Sequence, residues 1–246
     1  MIENSQRPIP ARYASDGKID VHSHFLTIQG EGPYCGQRAL FIRLHGCNLR
    51  CPGCDTNYTD TITAATDGFM LRLAREHLPV GGLVVITGGE PLRQNIVPSV
   101  RKLLEANYRV QIETNGVLFP DGLEDLLYVW GSVGQRWSPG QVPARLSIVC
   151  SPKTSRIHDK VHRHAIAFKY VLQADNVDED GLPLRALRHA AAPRVARPPV
   201  GAPVYVQPMD EADPVANARN LAAAVKSTMD HGHTLQLQIH KILNME

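Results

Sequence analysis

Between residues 83 and 116 the chain reads as strand, helix, strand. Leu83-Val84-Val85-Ile86-Thr87 is a β-branched run that opens into Gly88-Gly89-Glu90-Pro91. A helix is expected over Ile96 to Asn107, and Arg109-Val110-Gln111-Ile112-Glu113-Thr114 reads as a second strand ending at Asn115-Gly116. Strands at this spacing, joined by a helix, pair in parallel, because the crossover returns the chain to the same edge of the sheet. Further strands are expected at 22–28, 39–44, 146–150, 165–172 and 204–207, and an alternating one at 234–240. Helical spacing occurs at 67–77 and 216–229. Polar or glycine-bearing clusters recur just after the strands: Gln29-Gly30-Glu31, Thr87 to Glu90, Glu113-Thr114-Asn115, Ser151-Pro152-Lys153 and Gln207-Pro208. In a parallel α/β architecture strand ends share one face, where sites are built.

The flanking text is less regular. Residues 1–20 carry prolines and no periodicity and read as a loose N-terminal extension to a single domain over 21–246. Residues 131–145 form a Gly/Pro/Gln-rich connection. Residues 178–202, acidic at the start and then rich in Ala, Arg and Pro, read as a helix-plus-loop insertion with partial disorder. With 26 Lys and Arg against 24 Asp and Glu, bulk charge points to neither nucleic acid nor a membrane surface. No apolar run approaches the roughly 20 residues of a membrane helix. Five cysteines, an odd number with three clustered, speak against a secreted disulfide framework and for a reducing cytoplasm.

Those three are Cys47, Cys51 and Cys54, spaced C-x3-C-x2-C with turn-forming Asn48, Pro52 and Gly53 between them. Three soft thiolates in one tight loop invite a metal or cluster with one open coordination position. One reading is a structural zinc knuckle with His45 or a distant histidine as fourth ligand, although zinc sites of this type usually pair two C-x2-C units. The other is a [4Fe-4S] cluster with one iron left free. Cys35 and Cys150 read as spectators, and His162, His164, His231 and His233 as solvated loop residues.

The cysteine spacing followed by Thr87-Gly88-Gly89-Glu90-Pro91 resembles the radical S-adenosylmethionine (SAM) superfamily. Within it the chain is similar to the 7-carboxy-7-deazaguanine synthase family. That resemblance rests on Thr27-Ile28-Gln29-Gly30-Glu31-Gly32, Phe41 to Cys47, Cys54-Asp55-Thr56, Ile86 to Pro91, Glu113 to Gly116, Ser151-Pro152-Lys153, Gln207-Pro208 and His240-Lys241. It implies an incomplete parallel (β/α) barrel with helices outside. It also implies a lyase that contracts the ring of 6-carboxy-5,6,7,8-tetrahydropterin to 7-carboxy-7-deazaguanine with loss of ammonia, in queuosine-type 7-deazapurine biosynthesis. SAM is then used catalytically on a [4Fe-4S] cluster, Mg2+ sits at the substrate carboxylate, a flavodoxin- or ferredoxin-type protein donates electrons, and the enzyme is a homodimer. The extension and the insertion depart from the family's compact form.

Carried over by position, Cys47, Cys51 and Cys54 match the cluster ligands and Thr56 the magnesium contact. Ile28, Gln29, Gly30, Arg43 and Thr87 match substrate positions. Gly89, Glu90, Glu113, Ser151, Pro152, Lys153 and Gln207 match SAM-binding positions. The residue types suit these roles. A guanidinium fork fits a carboxylate, an amide can donate to and accept from a pterin edge, and glycines let backbone approach a ligand. Each also has a plain reading: Arg43 as a paired charge at the core edge, Thr56 as a cap, Ser151-Pro152-Lys153 as a turn. A different radical SAM protein, such as a glycyl-radical activase, and a zinc-stabilised binding module are the alternatives. An activase works on a protein partner and needs no pterin pocket.

Overall fold

In the computed structural model, which describes residues 4–131, 144–188 and 194–245, nine strands form one open sheet in the order β3-β1-β2-β4-β5-β6-β7-β8-β9. They are β1 (Lys18–Ile28), β2 (Arg38–Leu44), β3 (Thr63–Thr66), β4 (Leu83–Gly88), β5 (Arg109–Thr114), β6 (Leu146–Cys150), β7 (Ala165–Leu172), β8 (Val204–Pro208) and β9 (Thr234–Leu235). From β2 to β9 every pairing is parallel. At the other edge β1 is antiparallel to both β2 and β3. This is the expected incomplete parallel barrel, extended by two antiparallel strands.

The helices are α1 (Phe69–His77), α2 (Val97–Glu105), α3 (Leu123–Trp130), α4 (Asp159–His164), α5 (Pro214–His231) and α6 (Ile239–Ile242). Central strands read as unbroken apolar runs because both their faces are covered. In β4, Leu83, Val84, Val85 and Ile86 are all fully buried. Val84 and Ile86 join the large core under the helices, while Leu83 and Val85 join Tyr34, Ala39, Val149 and Tyr205 in a second core on the other face.

Several expectations are corrected. The 234–240 alternation yields only the two residues of β9 before the chain turns into α6. Gln236, not Leu237, is the buried side chain there, because its amide donates to Gln207 and its Oε1 accepts from Gly32 N at 2.6 Å. The described part of 178–202 contains no helix; Arg197 ties it together through Asp178 and Asp180. The suggested disorder in that stretch, and most of the 131–145 connection, lie outside the described residues. Residues 4–13 are not loose: they hydrogen-bond to the cysteine loop and to the segment after β4. His164 is buried and faces Glu124 at 3.0 Å from α4, so it is not a solvated loop residue. Among the described residues, no helix is long and apolar enough to cross a membrane.

Candidate active site

The parallel strands deliver their C-terminal ends to one rim, and a cavity of about 380 Å³ opens there. The cysteine loop follows β2, Thr87 to Gly89 end β4, Glu113 and Thr114 end β5, Ser151 and Lys153 follow β6, and Gln207 ends β8; all of them line the cavity. Gln29 arrives differently. Because β1 runs antiparallel, with Ile28 opposite Arg38, the segment after it leaves the sheet at the N-terminal edge of the parallel strands. It therefore does not share the rim with the other clusters. Ile28, Gln29 and Glu31 line the same cavity, with Gln29 Nε2 donating to Glu113 Oε1 at 3.0 Å.

Cys47, Cys51 and Cys54 all face this space. Burial pushes the Cys47 thiol up to about 12 and the Cys51 thiol to about 11, with the neighbouring sulfurs adding to both; burial raises Cys54 as well. Thiols that resist ionisation by themselves, two of them buried and Cys54 half-buried, become good ligands when a cationic centre takes up their charge. Leu49 N donates to Cys47 Sγ at 3.4 Å, the kind of bond that tunes cluster thiolates. His45, the proposed fourth zinc ligand, places its Nδ1 3.2 Å from the Thr61 carbonyl. Among the described residues, no three His, Cys, Asp or Glu side chains are grouped around a single ion. Three sulfurs lining one cavity would hold a [4Fe-4S] cluster with one iron left free.

Gly89 is forced by its surroundings. A Cβ there would stand 2.5 Å from the Gly46 carbonyl oxygen and 2.7 Å from Cys47 Cβ, so β4 can lie against the cysteine loop only without a side chain. Gly88, at φ +146, is held just as closely against Leu44.

Arg43 lies beside the Phe25 ring at 5.3 Å, and Phe25 stacks on Phe41. Its Nε is buried and has no hydrogen-bond partner. That Nε is left for a group that enters the cavity, which Arg43 lines. Thr56 lines the mouth beside Asp55, to which its hydroxyl donates at 3.3 Å.

Three residues assigned by sequence do not line the cavity. Gly30 packs against His240, which does line it. Pro152 is buried behind the wall. Glu90 is fully buried, and its carboxylate accepts from Thr114 Oγ1 (2.7 Å), Asn115 N (2.7 Å) and Leu92 N (2.9 Å). Burial pushes this carboxyl up to about 7 against the pull of those bonds. Glu90 thus braces the ends of β4 and β5.

The sequence reading assigned no role to Lys169 or Glu31, which form an ion pair at the base of the cavity, with Lys169 also 3.9 Å from Glu113 Oε2. A lysine in the middle of an apolar strand was the available signal, since a buried lysine requires a partner.

Comparison with known proteins agrees with this architecture. The family model described as "Radical SAM superfamily" matches residues 41–130. A 7-carboxy-7-deazaguanine synthase from Rhodospirillum rubrum is 41% identical over 247 residues, covering 96% of this chain and 97% of the relative. One from Rickettsia prowazekii is 35% identical, covering 95% and 92%. The crystal structure of QueE from Escherichia coli superposes with a TM-score of 0.58 at 20% identity, covering 89% of this chain and 92% of that one, which supports the fold. A likeness that runs through the barrel and its cysteine loop alike places the chain in the 7-carboxy-7-deazaguanine synthase family of the radical SAM superfamily.

Proposed function

We propose that the chain converts 6-carboxy-5,6,7,8-tetrahydropterin to 7-carboxy-7-deazaguanine with loss of ammonia, as a step of 7-deazapurine biosynthesis of the queuosine type. The observation that carries this reading is Arg43, whose buried Nε has no hydrogen-bond partner, set in the same cavity as the three cysteines and the Gln29–Glu113 pair. A guanidinium without a counterion selects a carboxylate, and an amide held by a carboxylate suits the mixed donor and acceptor edge of a pterin.

Cys47, Cys51 and Cys54 would hold a [4Fe-4S] cluster, which with SAM would supply one-electron chemistry for hydrogen abstraction. The remaining work falls to the chain. Gly88 and Gly89 let backbone approach SAM beside the cysteine loop, and Ser151, Lys153 and Gln207 line the same cavity. Lys153, whose ammonium donates to the Ser151 carbonyl at 3.0 Å, adds positive charge next to Cys51. Arg43 anchors the substrate carboxylate, and Gln29 with Glu113 orients the ring. Thr56 is the proposed oxygen ligand of an Mg2+ shared with the substrate; a hard ion with one weak protein ligand takes the rest of its shell from substrate and water. We also propose a flavodoxin- or ferredoxin-type donor, a homodimer, a cytoplasmic location, and a single domain over 21–246 with residues 1–20 as an extension packed on it, the last three of which already belong to β1.

The test is anaerobic reconstitution followed by incubation with SAM and reductant, with no partner protein added. Turnover is expected only when the tetrahydropterin bears its carboxylate. SAM cleavage that ignores the pterin and needs a second protein would favour a radical activase instead. Stoichiometric zinc without iron would end the reading.

A further inference from the structure

The cysteine loop is held from outside the sheet. Asn4 N donates to the Pro52 carbonyl at 3.0 Å, Asn4 Nδ2 to the Cys51 carbonyl at 3.0 Å, and Ile9 N to the Cys47 carbonyl at 2.7 Å. Gln6 secures the far end of the loop. Its Nε2 donates to the Thr56 carbonyl at 2.9 Å, while its Oε1 accepts from Tyr58 N at 2.7 Å and Thr59 Oγ1 at 3.1 Å. Arg50 Nε donates back to the Asn4 carbonyl at 3.1 Å. On the other flank Gly53 N donates to the carbonyl of Leu187, a residue at φ +46.

These bonds answer a question the fold leaves open. The Cys47–Cys54 loop forms no strand or helix of its own, so its peptide groups must find partners elsewhere. A terminal segment ordinarily leaves such groups to water. Here Asn4 is only 4% exposed, although asparagine is a residue type seldom buried without a specific partner. Its carbonyl oxygen, Oδ1, accepts from both Gln6 N and Gln6 Nε2 at 3.0 Å, which aims Nδ2 at the loop. The donor end of one side chain is thus fixed on the peptide that carries Cys51.

We propose that Asn4 to Ile9 is a positioning strap for the cluster loop, with Asn4 its principal residue. The strap sets the loop backbone so that the three thiols stay turned to the cavity, and so governs how firmly iron is retained. This rests on the reading of Cys47, Cys51 and Cys54 as cluster ligands.

The full chain carrying Asn4→Ala or Asn4→Asp, reconstituted anaerobically, tests it. Aspartate keeps acceptance from Gln6 but cannot donate to the Cys51 carbonyl, so the two variants separate the local turn from the grip on the loop. Both should lose the visible chromophore to an iron chelator about tenfold faster than the parent, the effect of one hydrogen bond to the loop. The Asn4→Ala apo chain should melt about 2–6 °C below the parent apo chain, the shift that one such hydrogen bond is worth in a domain this size, and the Asp variant lower still because it buries a carboxylate. The Asp variant should also have a lower midpoint potential than the Ala variant, since it adds negative charge beside an anionic cluster. Unchanged chromophore loss in both variants would overturn the strap, as would an Asn4→Ala apo chain that melts more than about 6 °C below the parent, which would make the faster loss a consequence of general unfolding. A parent chain that takes up no iron would instead overturn the ligand reading beneath it.

Discussion

Replacing Lys169 with methionine tests the polar base of the cavity. The Lys169 side chain is 11% exposed, pairs with Glu31 and stands 3.9 Å from Glu113 Oε2. Burial alone would push the Glu31 carboxyl up; the Lys169 ammonium, its hydrogen bond and the Gln238 amide overcome this and hold it down at about 2. Methionine fills the lysine's space and removes the charge, leaving a buried carboxylate unpaired. Breaking such a pair from one side costs about 3–5 kcal/mol. Without the ammonium, burial would carry Glu31 above its ordinary 4.5.

The pH dependence follows from the sign. In the parent chain Glu31 is depressed, so its contribution is complete above the ordinary carboxylate range and is lost only as pH falls through about 2. Lys169 is raised: against burial, which lowers it, the charges of Glu31 and Glu113 and the hydrogen bond to Glu31 prevail. Its contribution therefore persists until pH climbs past the ordinary lysine range. Near neutrality the pair contributes a constant amount. In Lys169→Met the Glu31 carboxyl is raised instead, and the penalty eases as acid supplies the proton that replaces the ammonium. Urea unfolding of the apo chains at about pH 8 and about pH 5.5 measures this. The expected loss is about 3–5 kcal/mol at the higher pH and smaller at the lower, which lies nearer the range where Glu31 takes up a proton. A loss under about 1 kcal/mol at the higher pH, or a larger loss at the lower, refutes the reasoning.

Three further outcomes bear on the site. Arg43→Ala removes a charge-assisted contact of about 1.5–3 kcal/mol, so KM for the carboxylated pterin should rise about 10- to 100-fold with cluster absorbance unchanged; an unaltered KM would remove Arg43 from the substrate site. Gly89→Ala places a methyl 2.5 Å from the Gly46 carbonyl oxygen, so iron content after reconstitution should fall. Gly68→Ala, where a Cβ meets nothing within 4 Å, should load as the parent does, and equal iron in both variants would contradict the close approach. Chelation of Mg2+ should lower turnover without changing the cluster spectrum, and full activity in its presence would leave Thr56 without a metal role.

Most of the barrel was legible because its strands are buried on both faces, which turns them into continuous apolar runs such as Leu83 to Ile86. What escaped has identifiable causes. Strand β3 is four small residues, three of them exposed, and carries no apolar signal. The direction of β1 depends on its pairing with β2 and not on its composition. The 234–240 segment alternates as a strand does, but hydrogen bonds from Gln236 bury the amide and leave Leu237 at 38% exposure, inverting the pattern. At the site, the motifs with fixed spacing were legible: the cysteine loop, Gly88-Gly89 and the clusters after β5, β6 and β8 line one cavity. Lys169, Asn4 and Gln6 were not, because their roles arise from partners 138, 47 and 50 residues away in sequence.

The most direct test of the account is product identity. The anaerobically reconstituted chain is incubated with SAM, reductant and 6-carboxy-5,6,7,8-tetrahydropterin, and the products are read by mass. The account predicts 7-carboxy-7-deazaguanine and one ammonia per product, with SAM recovered intact. Cleavage of SAM with the pterin unchanged would contradict it.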